Sequence, residues 1–313
     1  MFKNCKKLKK SPEINAINLS EQCCEQMFEN CISLNYIKTS FKVTSDTYTR
    51  NWVNNVSSIG TFIEDDNSQL AFGPNGIPVN WNIINNRDYE NNMLSFVVTK
   101  RGNITIKSNS NLITKSISYS IDEGNSWNSI NISTEEKSLG GILDSGTKVL
   151  VKGDNNPCAF RNNEEIIYTS FGGSAEVYIN GNIISLIDNQ TENNNDYVFY
   201  KLFSNYSNLK SCSNLKFPET ILGEYCYSYM FYNCENLVNV PEILPPMELM
   251  KGCYKGMFEE CYSLMQAPKL PAVELVKECY SRMFYYCHNL ARLDVAFIEW
   301  NEQYTQDWVY GIN

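Results

Sequence analysis

From Cys226 onward, apolar residues fall four apart at Cys226, Met230 and Cys234, with Leu237 three further on. On a helix of 3.6 residues per turn this spacing is a single stripe, so the pattern predicts a helix with cysteine, methionine and leucine on its buried face. Proline-bounded stretches at 240–245 and 267–272 follow. Proline fixes its own φ and disfavours a helical residue before it, which predicts short extended segments there. The phrase returns at Cys253, Met257, Cys261 and Leu264, then at Cys279, Met283, Cys287 and Leu290, and also near the start at Cys23, Met27, Cys31 and Leu34. Residues 1–8 and 202–209 keep only its second half. A helix plus a short strand cannot bury its own apolar face, so the units are expected to stack on one another.

The residue pattern C-Y-x-x-M-F-x-x-C-x-x-L followed by A-P-x-L-P-A, carried by 253–264 and 267–272, resembles the BspA-type leucine-rich repeats of Bacteroidetes surface proteins and of the phages of those bacteria, including virion or fibre proteins of crAss-like phages. The period, 27 and then 26 residues, lies in the range of about 20–29 residues of leucine-rich units. The resemblance covers most of 1–84 and 201–313. It implies a role in binding or adhesion without catalysis.

Between about 90 and 200 the period changes to two, as in Leu94-Ser95-Phe96-Val97-Val98, Ile104-Thr105-Ile106 and Val149-Leu150-Val151, which predicts strands. Turn residues separate them at 122–125, 140–141, 144–146, 153–157 and 180–182. Short strands with frequent turns predict an antiparallel sandwich. Residues 117–127 are similar to the Y-S-x-D-G-G-x-x-W hairpin of Ig-like modules, and the likeness implies a core position for Trp127. The expected fold class is therefore a mixed α/β multidomain protein: leucine-rich-type repeat solenoid blocks at 1–84 and 201–313 flanking an Ig-like antiparallel β-sandwich at 85–200.

Stacked repeats need covered ends. Residues 48–56, 60–62 and 73–81, with Trp52 and Trp81, resemble the C-terminal cap of the same family, and 304–313 with Trp308 match its first part. The second cap then reads as truncated and the first repeat as half a unit. Both features lead to the expectation of a homo-oligomer or of another subunit over the ends.

Twelve cysteines raise disulfides and metal as alternatives. Residues eight apart on one helix lie about 12 Å from each other, beyond the ~7 Å a disulfide allows. Zinc would need closer pairs or histidines, and His288 is the single histidine. The thiols are expected to be small buried core residues, with cross-repeat disulfides as the lesser alternative. Asp122 and Asp154 sit where turns call for such residues, so calcium is a minor alternative there. No cofactor or metal ligand is expected.

Net charge is −9, which opposes a phosphate-backbone partner. The lysines at 3, 6, 7, 9 and 10 read as a solvated face. No apolar run reaches the ~18 residues of a membrane span, and residues 11–15 interrupt what a signal peptide would need. With no nucleophile motif, phosphate loop or carboxylate pair in a telling place, no catalytic residue is expected. The expected role is a non-enzymatic structural or binding protein of a bacteriophage virion, a head or tail fibre that engages other virion proteins or a host-surface glycan or protein. A bacterial cell-surface adhesin is the alternative.

Overall fold

The computed structural model describes every residue except 13, 65–67, 69, 86–92, 188–195, 219–222, 246–247 and 313. The chain forms two compact units, Met1–Asn92 and Met93–Asn313.

The mixed α/β expectation fails. Strands take 30% of the chain and helix 3%, so the protein is nearly all β and not a pair of leucine-rich solenoids around a sandwich. Among the described residues the only α-helix is α1, Glu302–Thr305. The Cys-Met-Cys phrase is instead a run of turns. Every fourth backbone takes the left-handed conformation, with φ of 52° at Tyr225, 55° at Tyr229 and 55° at Asn233, and an α-helix cannot continue through such residues. Alternate amides make local bonds, Ser228 N to Tyr225 O and Met230 N to Tyr227 O, while those between them leave the phrase: Tyr227 N to Cys253 O, Tyr229 N to Lys255 O and Phe231 N to Met257 O. Half of the amide protons thus bind the next copy rather than the same coil. The four-residue apolar spacing is common to this arrangement and to a helix, which is why the stripe misled.

In unit 1 the copies at 2–8, 23–34 and 48–56 stack through such bonds, Phe2 N to Met27 O and Phe28 N to Trp52 O. Each is followed by extended chain. Strands β1 (Tyr36–Lys38), β2 (Thr61–Glu64) and β3 (Asn82–Asn85) pair in parallel, Tyr36 opposite Thr61 and Thr61 opposite Asn82. Phe28, Cys31, Leu34, Ile37, Trp52 and Phe62 fill the space between turns and strands at 0% exposure.

Unit 2 begins with β4 (Leu94–Lys100), β5 (Gly102–Ser108), β6 (Ser116–Ser120), β7 (Asn128–Asn131), β8 (Lys137–Leu143), β9 (Lys148–Gly153), β10 (Ala159–Asn162), β11 (Glu165–Gly172) and β12 (Glu176–Asn182). A 3-10 turn (Ile183–Ile187) and β13 (Leu209–Lys216) follow. One sheet runs β10-β11-β5-β8 and the other β13-β12-β4-β9-β6-β7. All their pairings are antiparallel except β12 with β13. Phe96 of one sheet meets Phe171 of the other at 5.0 Å, an arrangement compatible with an Ig-like sandwich.

The repeats grow out of this sandwich. Ala159 N and Phe171 N donate to the carbonyls of Val198 and Leu202, and β13 extends the larger sheet. Stacked rings then run from Phe171 through Phe203, Phe231 and Phe258 to Phe284 at 5.4–5.8 Å. One aromatic column joins both parts of unit 2, which accounts for their forming one body.

Two side-chain ladders reinforce the stacking. Asn30 donates to Asn4, Asn55 to Asn30 and Asn233 to Asn205. The thiols of Cys31, Cys234, Cys261 and Cys287 donate to the carbonyls of Phe2, Phe203, Phe231 and Phe258 at 2.9–3.2 Å.

Candidate interaction surface

The repeat-core residues named from the sequence separate into two groups. Cys31, Leu34, Cys226, Met230, Cys234, Leu237, Cys253, Met257, Cys261, Leu264, Cys279, Met283, Cys287 and Leu290 are all buried. Cys23 is exposed and Met27 only half-buried, a departure from the expected core. The Cys23 thiol lies 3.7 Å from that of Cys24. Its neighbour Cys24 is buried in its place, and burial followed by the Cys23 contact pushes that thiol up to about 12. Burial likewise lifts Cys234 and Cys287 to about 12.

Trp52, Trp81 and Trp308 are buried. Trp52 Nε1 donates to Gly76 O and Trp81 Nε1 to Ser57 O, both at 2.8 Å. The loop at 74–76 also takes the free amides of the last turn run, Val53 N on Pro74 O and Asn51 N on the Asn75 side chain. Trp127 is not a core residue: it is half-buried, its Nε1 donates to Gly124 O, and Lys152 lies 4.2 Å over its ring.

The two aspartates weighed for calcium are spoken for by the chain itself. Asp122 accepts from Ser120 and Ser126, and these hydrogen bonds hold its carboxyl at about 2. Asp154 receives the ammonium of Lys115, whose side chain is 0% exposed. Lys115 Nζ lies 2.8 Å from Asp154 Oδ1 and 2.9, 2.6 and 2.5 Å from the carbonyls of Asp154, Asn156 and Leu186. Four oxygens around one buried cation tie the turn before β10 to the 3-10 turn. Burial pushes the Asp154 carboxyl up, but the Lys115 bond and charge with the Ser116 and Asn156 amides outweigh it and leave it lowered. Lys3 of the basic N-terminal run pairs with Glu29 at 2.5 Å. His288 Nδ1 lies 2.7 Å from Gly311 O, its ring stacked on Tyr262. Among the described residues no three His, Cys, Asp or Glu side chains are grouped as a metal would need.

The surface with the densest unassigned chemistry is built by the outward positions of the turn runs in unit 2. Left-handed residues recur at Tyr197 and Lys201, Tyr225 and Tyr229, Gly252 and Gly256, and Glu278 and Arg282. The glycines are decisive here. A Cβ at Gly252 would collide with the Tyr225 ring and one at Gly256 with the Tyr229 ring. Their absence lets both tyrosines lie down across the third run. Tyr225 then reaches Glu278 at 3.4 Å, and Lys255 pairs with that carboxylate at 2.7 Å. Arg282 grips Glu259 through Nε at 2.9 Å and Nη2 at 2.5 Å while covering the Tyr285 ring at 3.9 Å. That bond raises the Arg282 guanidinium further.

At the first run, Tyr168, Tyr200, Tyr229 and Tyr232 surround the Lys201 ammonium at 5.5–5.9 Å from their ring centres. Burial lowers Lys201, partly offset by the field of Glu259, and raises Tyr200 to about 12. The remaining rings pair from run to run: Tyr197 on Tyr225 at 5.0 Å, Tyr200 against Tyr229 at 6.0 Å, and Tyr285 on Tyr310 at 5.2 Å. The repeat pattern read from the sequence did not bring these residues together. Asparagine and glycine mark only some of the left-handed positions, Asn205, Asn233, Gly252 and Gly256, while tyrosine, lysine, glutamate and arginine occupy others.

Among the described residues, two depressions lie elsewhere, about 250 Å³ beside Val53, Pro74 and Val79 in unit 1 and about 220 Å³ beside Glu242, Lys269 and Arg292 in unit 2. Small-molecule pockets usually span about 300–1,000 Å³. Comparison with protein-family models, with curated proteins and with solved structures finds no match to this chain.

Proposed function

We propose that the chain is a non-enzymatic binding or structural protein whose unit 2 offers its tyrosine face to a partner. The observation that carries this reading is the half-exposed tyrosine array around Lys201 and Arg282, held in place by Gly252 and Gly256. Tyrosine and arginine supply contact area and polar reach at little entropy cost, and they dominate binding energetics where they cluster. The sandwich, read here as Ig-like, serves as the base on which the turn runs are built. As setting we propose a bacteriophage virion, in head or tail fibre, supported by the repeated sequence phrase; a bacterial cell-surface adhesin is the alternative.

The test uses the full chain and a Tyr200→Ser, Tyr229→Ser, Tyr285→Ser variant, each labelled and mixed with purified virions and with bacterial cell envelopes. Retention of the native chain and loss of the variant support the role. Equal retention of both removes it. Mass spectrometry of purified virions separates the two settings, since an adhesin would be absent from them.

A further inference from the structure

We propose that the face around Lys201 binds a polysaccharide carrying occasional carboxylates, with Lys201 as the partner of the carboxylate. This rests on the binding role proposed above and names its ligand class.

The first support is the state of the ammonium. Among the described residues no oxygen accepts a hydrogen bond or an ion pair from Lys201 Nζ; four tyrosine rings hold it by their faces alone. Glu259, the nearest carboxylate in electrostatic terms, is already held by Arg282. Ring faces attract a cation without using up its N–H donors, so the donors remain for an anionic ligand. A carboxylate arriving there meets a half-buried charge, where an ion pair is worth more than at an open surface.

Glycan is favoured over an acidic peptide by what surrounds the charge. Protein hot spots are well-packed desolvated pockets that accept apolar anchors. Here the neighbourhood is flat ring faces and phenol groups of Tyr168, Tyr200, Tyr229 and Tyr232, all part-exposed. Ring faces take the C–H side of a sugar, and hydroxyls take its hydroxyl groups. Two ring contacts, at 5.0 and 6.0 Å, join the first run to the second, so a ligand of more than one sugar can span both. The net charge of −9 sets the density of acid groups. A polymer charged at every unit would be repelled by the chain as a whole, whereas one acid among neutral sugars is tolerated.

The experiment titrates the full chain calorimetrically with a defined oligosaccharide carrying one glucuronate among neutral N-acetylhexosamines, with the same oligosaccharide reduced at its carboxyl group, and with a peptide carrying one glutamate among neutral residues. The acidic oligosaccharide is expected to bind, and carboxyl reduction or Lys201→Gln to weaken it about tenfold to a hundredfold, as for the loss of one charge-assisted hydrogen bond. Lys201→Arg should restore most of the affinity, with the unfolding transition unchanged in both variants. The ligand class is overturned if the oligosaccharide fails to bind, if Lys201→Gln binds as tightly as the native chain, or if the singly charged peptide binds as well as the sugar. Failure here with loss of virion or envelope retention in the tyrosine variant removes the ligand and keeps the role; equal retention there removes the role itself.

Discussion

Lys115→Met removes the buried cation and keeps an unbranched side chain one atom shorter. In the native protein one ammonium serves the Asp154 carboxylate and the carbonyls of Asp154, Asn156 and Leu186. Removing one partner of a buried ion pair costs about 3–5 kcal/mol. Solvent at Asp154, whose side chain is 33% exposed, screens part of that charge, and the carbonyls left without a donor together restore about what the screening removes. A total of about 3–5 kcal/mol should lower the Tm of a unit the size of Met93–Asn313 by about 6–20 °C. Differential scanning calorimetry of the full chain reads this, with the unit 1 transition as an internal reference. The folded Asp154 carboxyl lies below its ordinary value, so its stabilisation is present above the unfolded pKa of about 3.9 and is lost as pH falls through the folded value. The variant should therefore lose less stability than the native chain on acidification below pH ~4. A loss under ~1 kcal/mol at neutral pH, or an unchanged acid limb, would refute the role given to this lysine.

Three further outcomes follow from the packing. Of the twelve cysteines only Cys5 and Cys23 are exposed, so a thiol-specific chromogenic reagent should titrate two thiols quickly in the native state and the rest only on unfolding; a third fast thiol contradicts the buried ladder. Gly256→Ala imposes a left-handed alanine at φ 58° and displaces the Tyr229 ring, costing upwards of about 1–2 kcal/mol in denaturant unfolding. Gly172→Ala, where a Cβ meets only Thr105 Oγ1 at 3.7 Å, should be close to neutral, and equal effects would refute the distinction. Trp52→Ala empties a 0%-exposed site against Phe28, Phe41 and Phe62 and should destabilise unit 1 by about 3–5 kcal/mol. Movement of the unit 2 transition by a similar amount would contradict independent folding.

The strands of the central segment were readable because alternation is a local property: Leu94–Val98, Ile104–Ile106 and Val149–Val151 lie in β4, β5 and β9. The burial of the Cys-Met-Cys-Leu positions was readable too, with Cys23 and Met27 as the exceptions. The conformation that buries them was not, because Cys226, Met230 and Cys234 face inward on a helix and on a chain of left-handed turns alike. Asn30, Asn55, Asn205 and Asn233, with Gly252 and Gly256, mark the left-handed positions, but tyrosine and arginine occupy others, and that dilutes the mark. Nothing local distinguishes Lys115 from a surface lysine; its acceptors come from residues 154, 156 and 186. The tyrosine face likewise depends on glycines one copy further along the chain.

The stacked turns carry two opposed currents of protons. Main-chain amides donate toward the following copy, Phe231 to Met257 and Phe258 to Met283, whereas carboxamides and thiols donate toward the preceding one, Asn233 to Asn205 and Cys261 to Phe231. Every interior copy thus shows its neighbours the same two polarities. Gain or loss of a whole copy leaves all donors matched, while deletion of a single residue inside the phrase exchanges odd and even amides and strands them at once. Length in such a chain can change only by whole copies, and variation within a copy is confined to the segments between phrases.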